Sequence, residues 1–163
     1  MSRKRLLLLS NSMNYGQEFL EHAEGDIRDF LGDGVKRVLF VPFAGVTRTY
    51  DQYAAAVGEK FKEIGYELVP VHKAADAAEA IRSAEAVAVG GGNTFHLLRG
   101  LYESGLIESI RERVEAGLPY IGWSAGSNVA CPTIRTTNDM PIVEPPSFNA
   151  LNLVPFQINP HYT

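Results

Sequence analysis

The sequence has a single cysteine, Cys131. That excludes an intramolecular disulfide and a cysteine-based metal framework, and it suits a reducing compartment. There is no basic cluster: 15 Lys and Arg are scattered among 19 Asp and Glu, for a net charge of −4, so nucleic acid is not an expected partner. Long apolar runs are absent as well. The opening Arg3-Lys4-Arg5 is followed by only four leucines, too few for a signal-peptide core or a membrane span. The expectation is a cytoplasmic protein without membrane contact. No repeat, low-complexity tract or linker divides the chain. With 163 residues, 45% hydrophobic and 21% charged, a single soluble domain with a sizeable core is expected over residues 1–163.

Short apolar runs alternate with amphipathic stretches. Residues 5–10, 35–43, 66–71, 86–89 and 118–121 read as strands, bounded by Gly, Asn and Pro. Between them, residues 19–31 carry Leu20, Ala23, Ile27, Phe30 and Leu31 at helical spacing. A second helix aligns Ala54, Val57, Phe61 and Ile64, and further helices are predicted over 76–84, 94–103 and 106–116. Strands and helices alternating through short loops imply parallel βαβ units, so the predicted fold class is α/β, a three-layer sandwich with a mostly parallel central sheet. Residues 131–146 have no helical period and read as a long loop or a pair of short strands. Residues 151–158 resume a strand-like run.

The stretch Tyr120-Ile121-Gly122-Trp123-Ser124-Ala125-Gly126 reads as a buried strand, a Gly-x-Ser-x-Gly turn and a helix start, the sequence form of a nucleophile elbow. A serine hydroxyl becomes a useful nucleophile when it is lifted clear of the sheet beside a base and amide donors. Gly122 and Gly126 would let backbone pass close to a strained turn, and the N–H of Ala125 would face an oxyanion. The alternative is an ordinary glycine-flanked turn with a solvent-facing serine. Upstream, Gly90-Gly91-Gly92-Asn93 follows a strand and opens a helix. It lacks the residues of a dinucleotide fingerprint or a P-loop, which leaves the second half of an oxyanion hole or a plain tight turn.

Four histidines compete to be the base. His22 and His96 read as surface or packing groups, and His72 ends a strand near the expected active edge. His161, held in a loop after Asn159-Pro160, has the stronger claim, against an ordinary histidine near the terminus. Asp139 is the in-chain candidate to orient such a base, and a turn-capping carboxylate is the other reading. Cys131 lies off the elbow and reads as packing.

Five segments together closely resemble the peptidase E family, the α-aspartyl dipeptidases of the class I glutamine amidotransferase-like fold. They are Val41-Pro42-Phe43-Ala44-Gly45-Val46-Thr47, Gly90 to Phe95, Ile121 to Gly126, Cys131 to Pro141, and Asn159-Pro160-His161. The resemblance implies a cytoplasmic serine peptidase that cleaves dipeptides with an N-terminal aspartate and needs no metal or other cofactor. It implies Ser124 as nucleophile, His161 as base, Gly92 and Ala125 as oxyanion donors, and Asp139 as the third triad member. Gly91 within the glycine run, Asn93 at its end, and Arg135 inside a matched segment are candidates for substrate contact, with a solvated loop arginine as the other reading of Arg135. Chains of this family continue past Asn-Pro-His into a Gly-Glu-Thr-Arg motif that is thought to hold the substrate aspartate, and into a glutamate proposed to orient the histidine. The sequence thus resembles the N-terminal part of such an enzyme. It is expected to associate with the missing C-terminal portion or to form a homo-oligomer. A cyanophycinase-like peptidase and a catalytically silent fragment or regulatory domain are the competing expectations.

Overall fold

The computed structural model describes residues 3–161; the two residues at either end, included in the domain predicted above, lie outside the described residues. Strands β1 (Leu6–Leu9), β2 (Arg37–Val41), β3 (Glu67–Pro70), β4 (Val87–Val89) and β5 (Tyr120–Trp123) alternate with helices. The helices are α1 (Glu24–Leu31), α2 (Tyr50–Ile64), α3 (Ala77–Arg82), α4 (Thr94–Glu103), α5 (Leu106–Glu115) and α6 (Ala125–Asn128). The sheet is wholly parallel, in the order β1-β5-β4-β2-β3. Side chains along β2 alternate between its faces: Val38 and Phe40 join the core beneath α1 and α2, while Leu39 and Val41 join the core beneath α4 and α5. Burial on both faces explains why the strands read as unbroken apolar runs.

Register sets the position of everything functional. Val41 pairs with Val89, Val89 with Gly122, and Leu9 with Trp123, so the loops leaving β1, β2, β4 and β5 emerge along one carboxyl edge. The loop after β2 is held by the start of α2, where Thr49 and Gln52 form a reciprocal capping box.

Two sequence expectations change. The first helix begins later than residue 19: Leu20 is fully buried at φ 55°, and a short 3₁₀ turn, Glu21–Ala23, precedes α1. Residues 151–158 form no strand. The N–H groups of Leu151, Asn152 and Leu153 donate to the carbonyls of Val129, Cys131 and Ala130, which follow the short α6 and lack helical partners of their own. The run is apolar because it covers that helix end, with Leu151 and Leu153 buried. Residues 131–146 are loop, joined to the segment after them by one antiparallel bridge, Thr133 to Asn149. Among the described residues, no helix is long and apolar enough to cross a membrane.

Candidate active site

Ser124 sits between β5 and α6 at φ 53°, ψ −111°, a conformation that non-glycine residues adopt only when their surroundings impose it. The surroundings here are specific. A β-carbon at Gly126 would lie 1.9 Å from the Val89 carbonyl oxygen, and one at Gly122 would lie 2.6 Å from that of Gly126. Only glycine at both sites lets α6 close against β4 and β5. The turn is further pinned by Ser124 N–H donating to Leu9 O, by the Ser127 hydroxyl donating to Leu9 O (2.7 Å), and by the Tyr120 hydroxyl donating to Gly126 O (2.7 Å). Beneath it, Trp123 is buried and stacks on Phe40 with ring centres 5.9 Å apart.

The Ser124 Oγ lies 2.7 Å from His161 Nε2. His161 reaches this point although it is exposed and 37 residues away, because its own N–H donates to the Ser10 hydroxyl at the end of β1 (2.9 Å). The preceding segment is tied by the Thr136 hydroxyl to Ile158 O and by the Asn138 amide to Asn159 Oδ1. A serine hydroxyl at this distance from an imidazole nitrogen is set to lose its proton to that nitrogen.

The glycine run also packs against Ser124. Gly91 packs its α-carbon so closely that an added Cβ would be 3.0 Å from Ser124 Cβ, and Gly92 takes φ 142°. Ala125 opens α6, so its N–H is one of the first-turn donors without an intrahelical acceptor. Gly92 thus lines the same cleft as Ser124, and Ala125 follows Ser124 directly in the chain.

The remaining candidates are placed differently. The Asp139 carboxylate lines the same cleft, yet its oxygen accepts from the N–H (2.8 Å) and hydroxyl (2.5 Å) of Thr94, at the start of α4. Among the described residues, its hydrogen bonds are to Thr94 and none reaches His161. A carboxylate is favoured there by the unpaired amides of the helix start. Asn93 caps α4 by accepting from His96 N–H and donates to Met140 O (2.7 Å), so its side chain is committed to holding the loop. Arg135 is exposed over the Phe148 ring and is not one of the residues lining the Ser124 cleft. His72 contacts Asp51, and His96 Nδ1 donates to Phe43 O. Cys131 is buried, and that burial pushes its thiol pKa up.

Sequence reasoning missed Tyr53 and Arg48. The Tyr53 hydroxyl donates to Gly91 O (2.8 Å), and burial holds this phenol in its protonated form, so it is a fixed donor behind the glycine run. Its ring fills the space that a side chain at Gly45 would need, and its hydroxyl, with the Phe40 ring, fills that at Gly90. The Arg48 guanidinium lies 4.3 Å from the centre of that ring. The capping box at Thr49 was the available signal, since it fixes where α2 begins and hence which residues overhang the sheet edge. Ser124, His161, Gly91, Gly92, Tyr53 and Arg48 all line one cleft of about 560 Å³.

The profile of peptidase family S51 matches residues 6–163. A peptidase E from a Nostoc species is 61% identical over 98% of this chain, and one from Shewanella denitrificans is 51% identical over 96%. In each case the chain spans 66% of the relative's own length. A crystal structure from Listeria monocytogenes EGD-e, provisionally titled a peptidase E protein, superposes with a TM-score of 0.76 at 27% identity. It covers 94% of this chain and 77% of that one. The family profile and these identities lead to one assignment: the chain belongs to peptidase family S51.

Proposed function

We propose that the protein is a cytoplasmic serine peptidase that hydrolyses dipeptides with an N-terminal aspartate. The single observation that carries the chemistry is the 2.7 Å contact between Ser124 Oγ and His161 Nε2 on a strained strand-to-helix turn. The relatives named peptidase E support the peptidase assignment, and the aspartyl preference is the one that the resemblance of the five sequence segments implies.

In this reading His161 takes the hydroxyl proton as Ser124 Oγ attacks the peptide carbonyl. The resulting oxyanion is held by the N–H groups of Gly92 and Ala125. The imidazolium then protonates the leaving amine, and water, activated by the same imidazole, releases the acyl group from Ser124. Each oxyanion donor contributes about 3 kcal/mol to lowering the barrier. Asp139 acts through the loop it anchors to α4, since its carboxylate is engaged by Thr94. The open edge of β1 is where the chain self-associates or meets a further segment.

The test is hydrolysis of Asp-Leu by the protein and by its Ser124→Ala variant, with labelling of Ser124 by an uncharged organophosphonate. Loss of turnover on the order of 10⁴ to 10⁶-fold in the variant, together with labelling of the unmodified protein at Ser124, is expected. Unchanged hydrolysis in the variant would overturn the assignment, and an unlabelled Ser124 would favour a silent elbow. Branched Asp-Arg polymer cleaved in preference to Asp-Leu would favour the cyanophycinase-like alternative.

A further inference from the structure

Arg48 stands out among the cleft residues. Its guanidinium carbon lies over the buried Tyr53 ring, 4.3 Å from the ring centre. Among the described residues, no carboxylate comes within 4.0 Å of it to form an ion pair. Arg111 and Arg113, by contrast, donate to main-chain carbonyls. A guanidinium held over an aromatic ring keeps N–H donors available, and these match a carboxylate in bidentate geometry. The carboxylate that shares the cleft, Asp139, is taken up by Thr94.

Position adds to chemistry. Arg48 leaves the loop after β2, whereas His161 is tied to Ser10 at the end of β1. With β4 and β5 lying between those strands, the two groups flank Ser124 from opposite sides of the same cleft. A small substrate lying across the elbow thus meets a base on one side and an exposed cation on the other.

We propose that Arg48 is a specificity-determining residue that receives a carboxylate of the bound substrate. The inference rests on the peptidase reading. An Asp-X dipeptide carries two such groups, the aspartyl side chain and the C-terminal carboxylate, with the same chemistry. Arg48 acts in binding and takes no part in proton transfer.

The test is calorimetric titration of Asp-Leu into the full chain carrying Ser124→Ala, and into the same protein with Arg48→Met or Arg48→Lys added. Binding is read without turnover, so failure of the hydrolysis assay and failure of this inference remain distinct. The expected result is a Kd raised at least 10-fold by Arg48→Met, partly recovered by Arg48→Lys, with melting temperature unchanged in both. The Arg48 effect should also shrink in 1 M salt. Retention of the effect on Asp-Leu amide and its loss on Asn-Leu would assign the side-chain carboxylate; the reverse pattern would assign the C-terminal one. Equal affinity for Asp-Leu in the presence and absence of Arg48, or no binding by either protein, overturns the proposal.

Discussion

Gly92 stands at φ 142°, and a β-carbon added there would lie 2.1 Å from the carbonyl oxygen of Ala44. Neither obstacle can be relieved by rotating a side chain, because both belong to the backbone. Gly92→Ala is therefore expected to lower stability by about 2–5 kcal/mol in urea unfolding. On the proposed mechanism it should also reduce kcat/KM for Asp-Leu on the order of 10²-fold, as the Gly92 N–H turns away from the oxyanion. Tyr53 makes a gentler probe of the same loop. Tyr53→Phe keeps the ring that Arg48 and Phe40 pack against and removes the hydroxyl that donates to Gly91 O. About 1 kcal/mol of stability should be lost, with kcat falling roughly 10-fold at nearly constant KM. A change in KM alone would place Tyr53 in substrate binding instead.

At the scale of elements, α4 begins where two loops converge on it. Asn93 caps it and reaches Met140, and Asp139 accepts from Thr94. The loop of residues 131–146 is thereby latched to the helix that follows the glycine run. Asp139→Asn retains an acceptor and loses the charge, so a melting experiment should register a loss of about 0.5–1 kcal/mol, with hydrolysis reduced only a few-fold. A fall on the order of 10⁴-fold would instead assign Asp139 to orienting His161. The same latch explains why the segment was readable only as irregular: its regularity lies in contacts to α4 and α6, which have no sequence period. At α2 the local signal was complete, since Thr49 and Gln52 cap each other. Thr49→Ala should cost about 1 kcal/mol in chemical unfolding.

For the whole molecule, the distribution of burial across the sheet matters most. Residues of β4 and β5 are fully buried, whereas the four leucines of β1 are each only partly covered. Among the described residues β1 has one neighbour, β5, so its other edge presents unpaired backbone groups flanked by apolar side chains. Such an edge favours association. Sedimentation at micromolar concentration is expected to give a mass above the 17.9 kDa of one copy, and Leu7→Lys should return it towards that value. A stable monomer before the substitution would count against the expectation.

The alternation of apolar runs with helical periods was enough by itself to establish the parallel three-layer class, because strands buried on both faces leave an unbroken apolar signature. Gly122, Ser124 and Gly126 were equally legible, since a strained turn between close-packed backbones tolerates few residue types. Strand order, register and the meeting of Ser124 with His161 were decided by tertiary structure. So were the commitment of Asp139 to Thr94, the use of residues 151–158 as a cover for α6, and the placing of Arg48 and Tyr53 at the cleft. All of these depend on which carboxyl-edge loops come to face one another, and that distance is set by sheet pairing between residues far apart in the chain.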